Sequence, residues 1–187
     1  MTDIELRPFE RKDFSRLIAW VKSPEFLLQW AGPIFDFPLD LIQLEIYLRG
    51  AEEEPPTRNI YKAIRPRDNA VIGHVELANI DRRNKSATLC RVLIGEPPLR
   101  GTGLGIEMVR RALDVGFSEL GLHRIDLVVF DFNTAAIRCY ERAGFMREGQ
   151  LREARKIGGE YWTLNQMSIL EQEWRIQQAS SHGVRIR

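Results

Sequence analysis

Three glycines alternate at the point where an amphipathic helix is predicted to begin. Gly101, Gly103 and Gly105 lie within the stretch LRGTGLGIEMVRRALDVGF, residues 99–117. Glycine disfavours a helix by about 1 kcal/mol relative to alanine, so three of them at a helix entrance indicate that the backbone must approach something closely. The apolar residues that follow recur at helical spacing and predict one buried face: Ile106, Val109, Leu113, Phe117 and Leu120.

Three predicted strands precede the glycines. They span residues 59–64, 70–77 and 86–94, and the turn-like clusters PRDN and DRRNK between them are typical of an antiparallel meander. Before this meander we predict a strand at 4–8, helices beginning near Phe14 and at Pro24, and a helix from about Leu39 to Arg49 that ends at Gly50. After the glycines we predict a buried strand at 125–130, a helix from Thr134 to Ala143 that ends at Gly144, and strands at about 146–155 and 161–170. The pattern predicts an α/β (α+β) fold with a mostly antiparallel central sheet flanked by helices.

Composition and charge narrow the class of protein. At 187 residues the chain fits one domain, which we place at residues 1–178, with a loose tail at 179–187. A net charge of +1 gives no reason to expect nucleic acid or a membrane as partner. The charged N-terminus predicts no signal peptide, and the two cysteines show neither metal-ligand spacing nor a disulfide framework. We therefore expect a cytoplasmic protein without a metal.

The glycine stretch is best explained as a cradle for an anion. A nucleotide-binding P-loop would need a lysine near the glycines, and a dinucleotide-binding loop would need a third glycine at another spacing. A simple turn and helix cap explains one glycine and leaves Arg100 without a role. Free amide groups and the positive end of the helix dipole, together with Arg100, instead favour a ligand that carries phosphate.

Two motifs resemble the GNAT N-acetyltransferases. Arg100-x-x-Gly103-x-Gly105 resembles their acetyl-CoA motif, and NTAAIRCYERAGF, residues 133–145, resembles the N-x-x-A-x-x-x-Y-x-x-x-GF segment of many members. The likeness extends from ELRPFERKDF to the last strand and is nearest to the spermidine, ribosomal-protein N-terminal and aminoglycoside acetyltransferases. It implies acetyl transfer from acetyl-CoA to an amine, with the cofactor lying where the sheet splays between Ile94 and Ile125.

The resemblance also assigns acetyl-CoA contacts. The pyrophosphate contacts that it implies come from Arg100, Gly101, Thr102, Gly103, Leu104 and Gly105, and the contacts to the pantetheine arm come from Leu93, Ile94, Gly95, Asn133 and Ala136. Main-chain groups at residues 93–95 would also stabilise the oxyanion that forms during amine attack. Leu93 and Ile94 are equally explained as buried strand residues, and Asn133 as a helix N-cap.

The resemblance places Tyr140 near the sulfur of acetyl-CoA and makes it the candidate proton donor to the departing thiolate, and a packed aromatic is the alternative interpretation. Many GNAT members carry a glutamate on the strand before the phosphate loop, but SATLCRVLI has no carboxylate. Glu76 on the neighbouring strand is the substitute candidate for the general base. A solvent-facing glutamate is the alternative, and His74, two residues away on the same strand face, is a second candidate.

The resemblance implies an acceptor site that is built largely by the early helices and the last hairpin. Residues 23–58 carry seven acids and two bases, so an acidic acceptor side would attract a cationic amine. Glu25, Trp30 and Asp36 are the candidate acceptor-binding residues, since aromatics beside carboxylates suit an amine. The acceptor class stays open between a peptide N-terminus and a small polyamine or aminoglycoside. A non-catalytic acyl-CoA sensor is the alternative function, and we expect a monomer or homodimer.

Overall fold

The computed structural model of the chain describes residues 4–183. Its strands are β1 (Glu5–Pro8), β2 (Asn59–Arg65), β3 (Ala70–Asp81), β4 (Ser86–Ile94), β5 (Arg124–Phe130), β6 (Met146–Ile157) and β7 (Glu160–Leu170). Its helices are α1 (Phe14–Trp20), α2 (Pro24–Ala31), α3 (Leu41–Glu52), α4 (Leu104–Asp114), α5 (Thr134–Ala143) and α6 (Glu171–Gly183). Ser23 caps α2 by accepting from the Phe26 amide, with Pro24 in the first turn, as the sequence predicts.

The strands form one sheet in the order β1-β2-β3-β4-β5-β7-β6. Every neighbouring pair is antiparallel except β4 and β5, which are parallel. That parallel pairing covers only Ser86–Thr88 against Arg124–Asp126, so the rest of β4 diverges from β5. The predicted mostly antiparallel, splayed sheet is therefore confirmed.

Two apolar clusters hold the elements in place. One cluster joins the sheet to α4, with Met108 and Val109 fully buried against strand residues such as Val75 and Ile125. The other joins α1, α2 and α3 around Leu17, Leu27 and Leu44, and it includes Leu93 of β4. The second cluster places α2 and α3 beside the open part of β4, which is where the sequence predicts the acceptor site.

Helix α3 does not end at Gly50, as the sequence predicts, but continues to Glu52. Asp40 caps its start, with Oδ1 accepting from the Gln43 amide at 2.8 Å. A Cβ added at Gly50 would lie 2.6 Å from Nε of Arg58. The glycine is therefore explained by the close approach of Arg58 to the helix and not by a cap.

The predicted apolar face of the long helix is buried as far as Phe117, but Leu120 lies outside it. Residues Val115–Glu119 form a π-helical turn after α4. The wider turn shifts the side-chain period, so Phe117 is buried while Leu120 is 37% exposed. Gly121 follows with φ of +63°, in agreement with the predicted helix stop.

The C-terminal helix was not expected. Helix α6 includes residues 179–183, which the sequence analysis assigns to a loose tail, whereas residues 184–187 lie outside the described part. Its Trp174 ring lies 5.3 Å from the ring of Phe117, so α6 packs against the end of the α4 segment.

Within residues 4–183, the helices all fall short of the length and apolar character that a bilayer span requires.

Candidate functional site

The divergence of β4 from β5 opens a cavity of about 990 Å³. Its walls come from β4 and β5, from the loop before α4 and from α5, and its other end is closed by α2 and α3. Both sequence motifs therefore face one space. The volume is at the upper end of what small-ligand and cofactor sites occupy.

The glycine loop lies at one end of this cavity. Gly101 and Gly103 have φ of +78° and +96°, a left-handed conformation that disfavours any residue with a Cβ. An added Cβ at either position would have no atom within 4 Å, so the space above the loop is open. Within the described part of the chain, the amides of residues 101–106 donate no hydrogen bond. A row of unpaired donors at the start of α4 fits a phosphate group.

Arg100 ties this loop to the end of β4. Its Nε donates to the Ile94 carbonyl at 3.0 Å and its Nη2 to the Gly95 carbonyl at 3.1 Å, while the guanidinium lies over the Phe26 ring. The hydroxyl of Thr102 donates to the Leu99 carbonyl at 2.7 Å. Arg100 lines the cavity, so it adds positive charge beside the unpaired amides.

The end of β4 supplies a free edge. Beyond Thr88 the edge that faces β5 is unpaired, and Leu93 and Ile94 line the cavity there. The Gly95 amide donates to the Ile72 carbonyl at 2.9 Å, so that donor is occupied. A Cβ at position 95 would lie 2.0 Å from the Trp20 ring, which explains why this residue is a glycine. Main-chain contacts to a ligand are therefore available from residues 89–94.

Helix α5 faces the free edge. Oδ1 of Asn133 accepts from the Ala136 amide at 3.3 Å, so Asn133 is an N-cap, and both residues also line the cavity. The Tyr140 hydroxyl has no hydrogen-bond partner among the described residues, and its ring meets that of Phe145 edge-on at 5.8 Å. Burial raises the pKa of Tyr140 above its ordinary value. The phenol is therefore protonated at neutral pH, as a proton donor must be.

Glu76 is not an edge residue but the centre of a buried polar network. Its carboxylate is completely buried and accepts hydrogen bonds at Oε2 from Nε of Arg91 and from the Tyr47 hydroxyl. Nη1 of Arg58 lies 3.5 Å from Oε1. Tyr47, Arg58 and Arg91 line the cavity, whereas Glu76 does not. The structure thus places this candidate base behind the cavity wall.

His74 belongs to the same network. Its Nε2 lies 3.1 Å from the Tyr47 hydroxyl, so His74 and Glu76 share one side of β3 as predicted. Burial, followed by the nearby Arg91 charge, lowers the pKa of His74 from 6.5 to about 3. The imidazole is neutral and enclosed by aromatic rings, and it does not line the cavity.

Of the three candidate acceptor residues, only Trp30 lines the cavity. Its ring stacks on Phe35 at 6.1 Å, and its Nε1 is buried without a partner. Glu25 and Asp36 are exposed and lie outside the lining. Other acids of residues 23–58 are also engaged elsewhere: Glu45 and Glu52 bind Arg11, Asp40 caps α3, and Glu53 accepts from Thr57.

Sequence reasoning missed Tyr47, Arg58 and Arg91. Arginine is usually a surface residue, and nothing in the local pattern of β4 distinguishes Arg91 from a solvated one. Its backbone has φ of +53° at a register shift between β3 and β4. Such a bulge redirects a side chain, and strained non-glycine residues concentrate at functional sites.

No group of three or more His, Cys, Asp or Glu side chains among the described residues could hold a metal ion. The charged side chains among the described residues that line the cavity are arginines, and its polar groups include Tyr47, Thr88 and Tyr140.

The geometry agrees with a family model for the acetyltransferase (GNAT) domain, which matches residues 3–146. The chain belongs to the GNAT acetyltransferase family. The prediction of an acetyl-CoA-dependent N-acetyltransferase is thereby confirmed, and the comparisons give no support to the alternative of a non-catalytic sensor.

Several relatives carry related names. The spermidine N(1)-acetyltransferase of Escherichia coli (strain K12) is 26% identical over 171 residues, which cover 91% of this chain and 88% of that protein. An uncharacterized N-acetyltransferase of a Bacillus subtilis prophage, YokL, is 37% identical, but over only 51% of this chain and 52% of that protein.

A solved structure supports the same assignment. The spermidine N-acetyltransferase of Vibrio cholerae, crystallised in complex with CoA and spermine, superposes with a TM-score of 0.80 at 27% identity. The superposition covers 94% of this chain and 99% of that one. That enzyme also has a structure described as dodecameric.

Proposed function

We propose that the protein acetylates a primary amine by direct attack on acetyl-CoA, with both substrates bound in the cavity between β4 and β5. The observation that carries this proposal is the arrangement of three features around one space: the unpaired amides of residues 101–106, the free edge of β4 and the unpartnered hydroxyl of Tyr140. Each matches a different part of an acetyl-CoA molecule.

The loop at residues 100–105 would hold the pyrophosphate. Leu104 and Gly105 lie in the first turn of α4, where the helix dipole adds partial positive charge to their unpaired amides. Thr102 keeps the loop closed through its bond to Leu99, and Arg100 contributes a full positive charge. The open space above Gly101 and Gly103 lets phosphate oxygens reach the backbone.

The thioester would then lie between the free edge of β4 and α5. Main-chain amides of β4 would donate to the carbonyl oxygen as negative charge develops on it, which is worth a few kcal/mol in comparable sites. Tyr140 would donate its proton to the sulfur that leaves as the C–S bond breaks. Acetyl-CoA supplies the activated acetyl group, whereas the protein positions the two substrates and provides the proton for the leaving sulfur.

The described residues that line the cavity include no carboxylate to receive the proton that the amine must lose. Glu76 is separated from the cavity by Arg91, Tyr47 and Arg58. We therefore assign Glu76 the role of positioning these three side chains, and we propose that water in the cavity accepts the amine proton. Tyr47 and Arg91 occupy Oε2, and Oε1, which accepts no hydrogen bond from the described residues, lies 3.5 Å from Nη1 of Arg58, so direct transfer would require the proton to pass these side chains.

The names of the relatives make spermidine one acceptor to test, and peptide N-termini and aminoglycosides are others. The experiment is to incubate the protein with acetyl-CoA and each amine, follow thiol release, and identify products by mass spectrometry. An amine that gains 42 Da with matching thiol release supports the proposal. CoA binding without turnover of any amine would contradict it.

We further propose a cytoplasmic location and function as a monomer or homodimer. The charge balance of the chain supports a small-molecule or peptide partner over nucleic acid or membrane. Light scattering of the purified protein distinguishes these states from a dodecamer.

A further inference from the structure

The charges that line the cavity differ from those expected for a cationic acceptor. No aspartate or glutamate is found among the described residues that line it. The lining instead includes six arginines: Arg58, Arg91, Arg100, Arg138, Arg142 and Arg155. A polyamine bound here would place its ammonium groups beside guanidinium groups with no carboxylate to pair with, which is unfavourable.

Arg58 and Arg91 lie at the end formed by α2 and α3. Both guanidinium groups flank the Tyr47 ring, with their central carbons 5.5 Å and 5.4 Å from its centroid. Arg91 also approaches the carbonyl of Ala31, at the end of α2, at 3.4 Å. Two positive charges therefore share one aromatic wall, apart from the glycine loop that would bind phosphate.

Glu76 neutralises only one of these two charges. It binds Arg91 through Nε and lies 3.5 Å from Arg58, so the cluster keeps a net positive charge at the cavity wall. The Arg91 side chain is only 9% exposed, yet its Nη2 donates to no described residue. Nε of Arg58 is buried without a hydrogen-bond partner within residues 4–183, but it lies 2.6 Å from where a Cβ of Gly50 would be, so this donor faces α3 and not the cavity. The features that suit an anionic group are the net positive charge of the cluster and the Nη2 donor of Arg91 on a side chain that lines the cavity.

We propose that the acceptor is an α-amino acid, whose carboxylate binds Arg58 and Arg91 while its amine faces the thioester. This assignment rests on the acetyl-transfer function proposed above. Guanidinium groups bind carboxylates through paired, charge-assisted hydrogen bonds, and the positive φ of Arg91 is explained by the need to aim its side chain at this point. Trp30 and Phe35 provide an apolar wall for the side chain of the amino acid.

The same charges would help the chemistry. In a free amino acid the carboxylate stabilises the protonated amine, and pairing that carboxylate with the two arginines removes this effect, so the reactive neutral fraction of the bound acceptor increases. Proton removal then needs no carboxylate base at the cavity wall. The amine nitrogen forms a bond to the acetyl carbon as the C–S bond breaks; the amine proton passes to water, the sulfur takes a proton from Tyr140, and Tyr140 regains a proton from water.

The test compares each amino acid with its own carboxamide, beginning with phenylalanine, leucine and methionine and extending to the other common amino acids, with spermidine alongside. The carboxamide is the more deprotonated amine at pH 7, so intrinsic reactivity alone favours it. We expect kcat/KM to be about 10- to 100-fold higher for at least one amino acid than for its carboxamide, as for a charge-assisted contact. Rates for the carboxamide or spermidine that equal or exceed every amino acid rate would overturn this inference and leave acetyl transfer standing.

Two variants test whether the arginines cause the preference for an amino acid over its carboxamide. Arg58→Gln should reduce the acid-to-amide ratio towards one, and Arg91→Lys should reduce it while retaining the charge beside Glu76. Arg49→Gln is the matched control, because Arg49 is exposed on α3 and lies outside the cavity lining. An unchanged ratio in both cavity variants would refute the assignment.

Calorimetric titration of the CoA-bound protein with the amino acid and with the carboxamide separates binding from turnover. Tighter binding of the amino acid supports the inference. Equal or weaker binding, or no acetylation of any amine, contradicts it, and the second result also contradicts the proposed function.

Discussion

His74 provides a test of the buried network that does not depend on the substrate. Its ring is enclosed by Phe9 and Trp30, its Nε2 lies 3.1 Å from the Tyr47 hydroxyl, the Arg91 charge acts on it, and Lys62 lies opposite it on β2. Its folded-state pKa is lowered to about 3 from 6.5, chiefly by burial. The imidazole must stay neutral in the folded state, and it becomes protonated only when the chain unfolds.

The sign of the effect follows from proton linkage. Between pH 6.5 and about 3 the unfolded chain binds a proton at His74 that the folded chain does not, so stability is lost as the pH falls through this window. Between pH 7 and pH 5 this one group lowers the free energy of unfolding by about 2 kcal/mol. The value is the same for any folded-state pKa of His74 below about 4. Hydrogen bonds and ion pairs lower the pKa values of Glu10 and Glu148 from 4.5 to about 2. These two carboxylates therefore lose their stabilising contributions only as the pH falls below 4.5.

The assay is urea unfolding of the wild-type protein and His74→Gln at pH 7 and pH 5. The variant is expected to be less stable at pH 7, because the amide fills the ring site poorly, but to lose about 2 kcal/mol less between the two pH values. His123→Gln is the control, since His123 is exposed on the loop before β5. If His74→Gln and the wild type lose stability in parallel, His74 is not a buried neutral group and the description of the network is wrong.

Three further predictions concern the site. Tyr140→Phe keeps the ring beside Phe145 but removes the proton donor, so kcat should fall by about 10²- to 10⁴-fold with little change in the Kd of acetyl-CoA; an unchanged kcat would leave water as the donor. Gly103→Glu places a negative charge and a Cβ at φ of +96° in the cradle and should abolish acetyl-CoA binding in calorimetry. Gly121→Glu has the same left-handed strain outside the cavity and should retain binding. Gly50→Ala should lower the urea midpoint, because the added Cβ would displace Arg58. A gain in stability of about 1 kcal/mol would instead show that residue 50 tolerates alanine like any helix interior position.

The parts of the site that sequence analysis predicted are encoded locally. The glycine loop needs positive φ at Gly101 and Gly103, and Asn133 caps the helix that begins beside it, so both signals lie within a few residues of the feature they specify. The splay was predicted through family resemblance and appears in the short pairing of β4 with β5.

The parts that were missed depend on tertiary contacts. Tyr47 on α3 and Arg91 on β4 lie far in sequence from each other and from the predicted Glu76 on β3, and only the folded chain brings them to its carboxylate. A similar limit applies to Gly50: its pattern predicts a helix stop, and only the position of Arg58 shows why a glycine is needed inside α3. A count of the acids in residues 23–58 has the same limit, because it does not show that Glu45 and Glu52 form ion pairs with Arg11.

The position of Glu76 changes how the absence of a carboxylate in β4 is understood. A buried carboxylate is costly unless it is paired, and here the pairing is with side chains that form the cavity wall. The pairing fixes Arg91 and Tyr47 in orientation, and because one carboxylate faces two guanidinium groups it leaves positive charge directed at the acceptor. A cavity that disfavours the protonated form of a bound amine has less need of a base. In the proposed acceptor complex the lack of a carboxylate in β4 and the arginines of the wall are therefore linked, because pairing of the acceptor's carboxylate with the wall takes the place of a carboxylate that touches the amine.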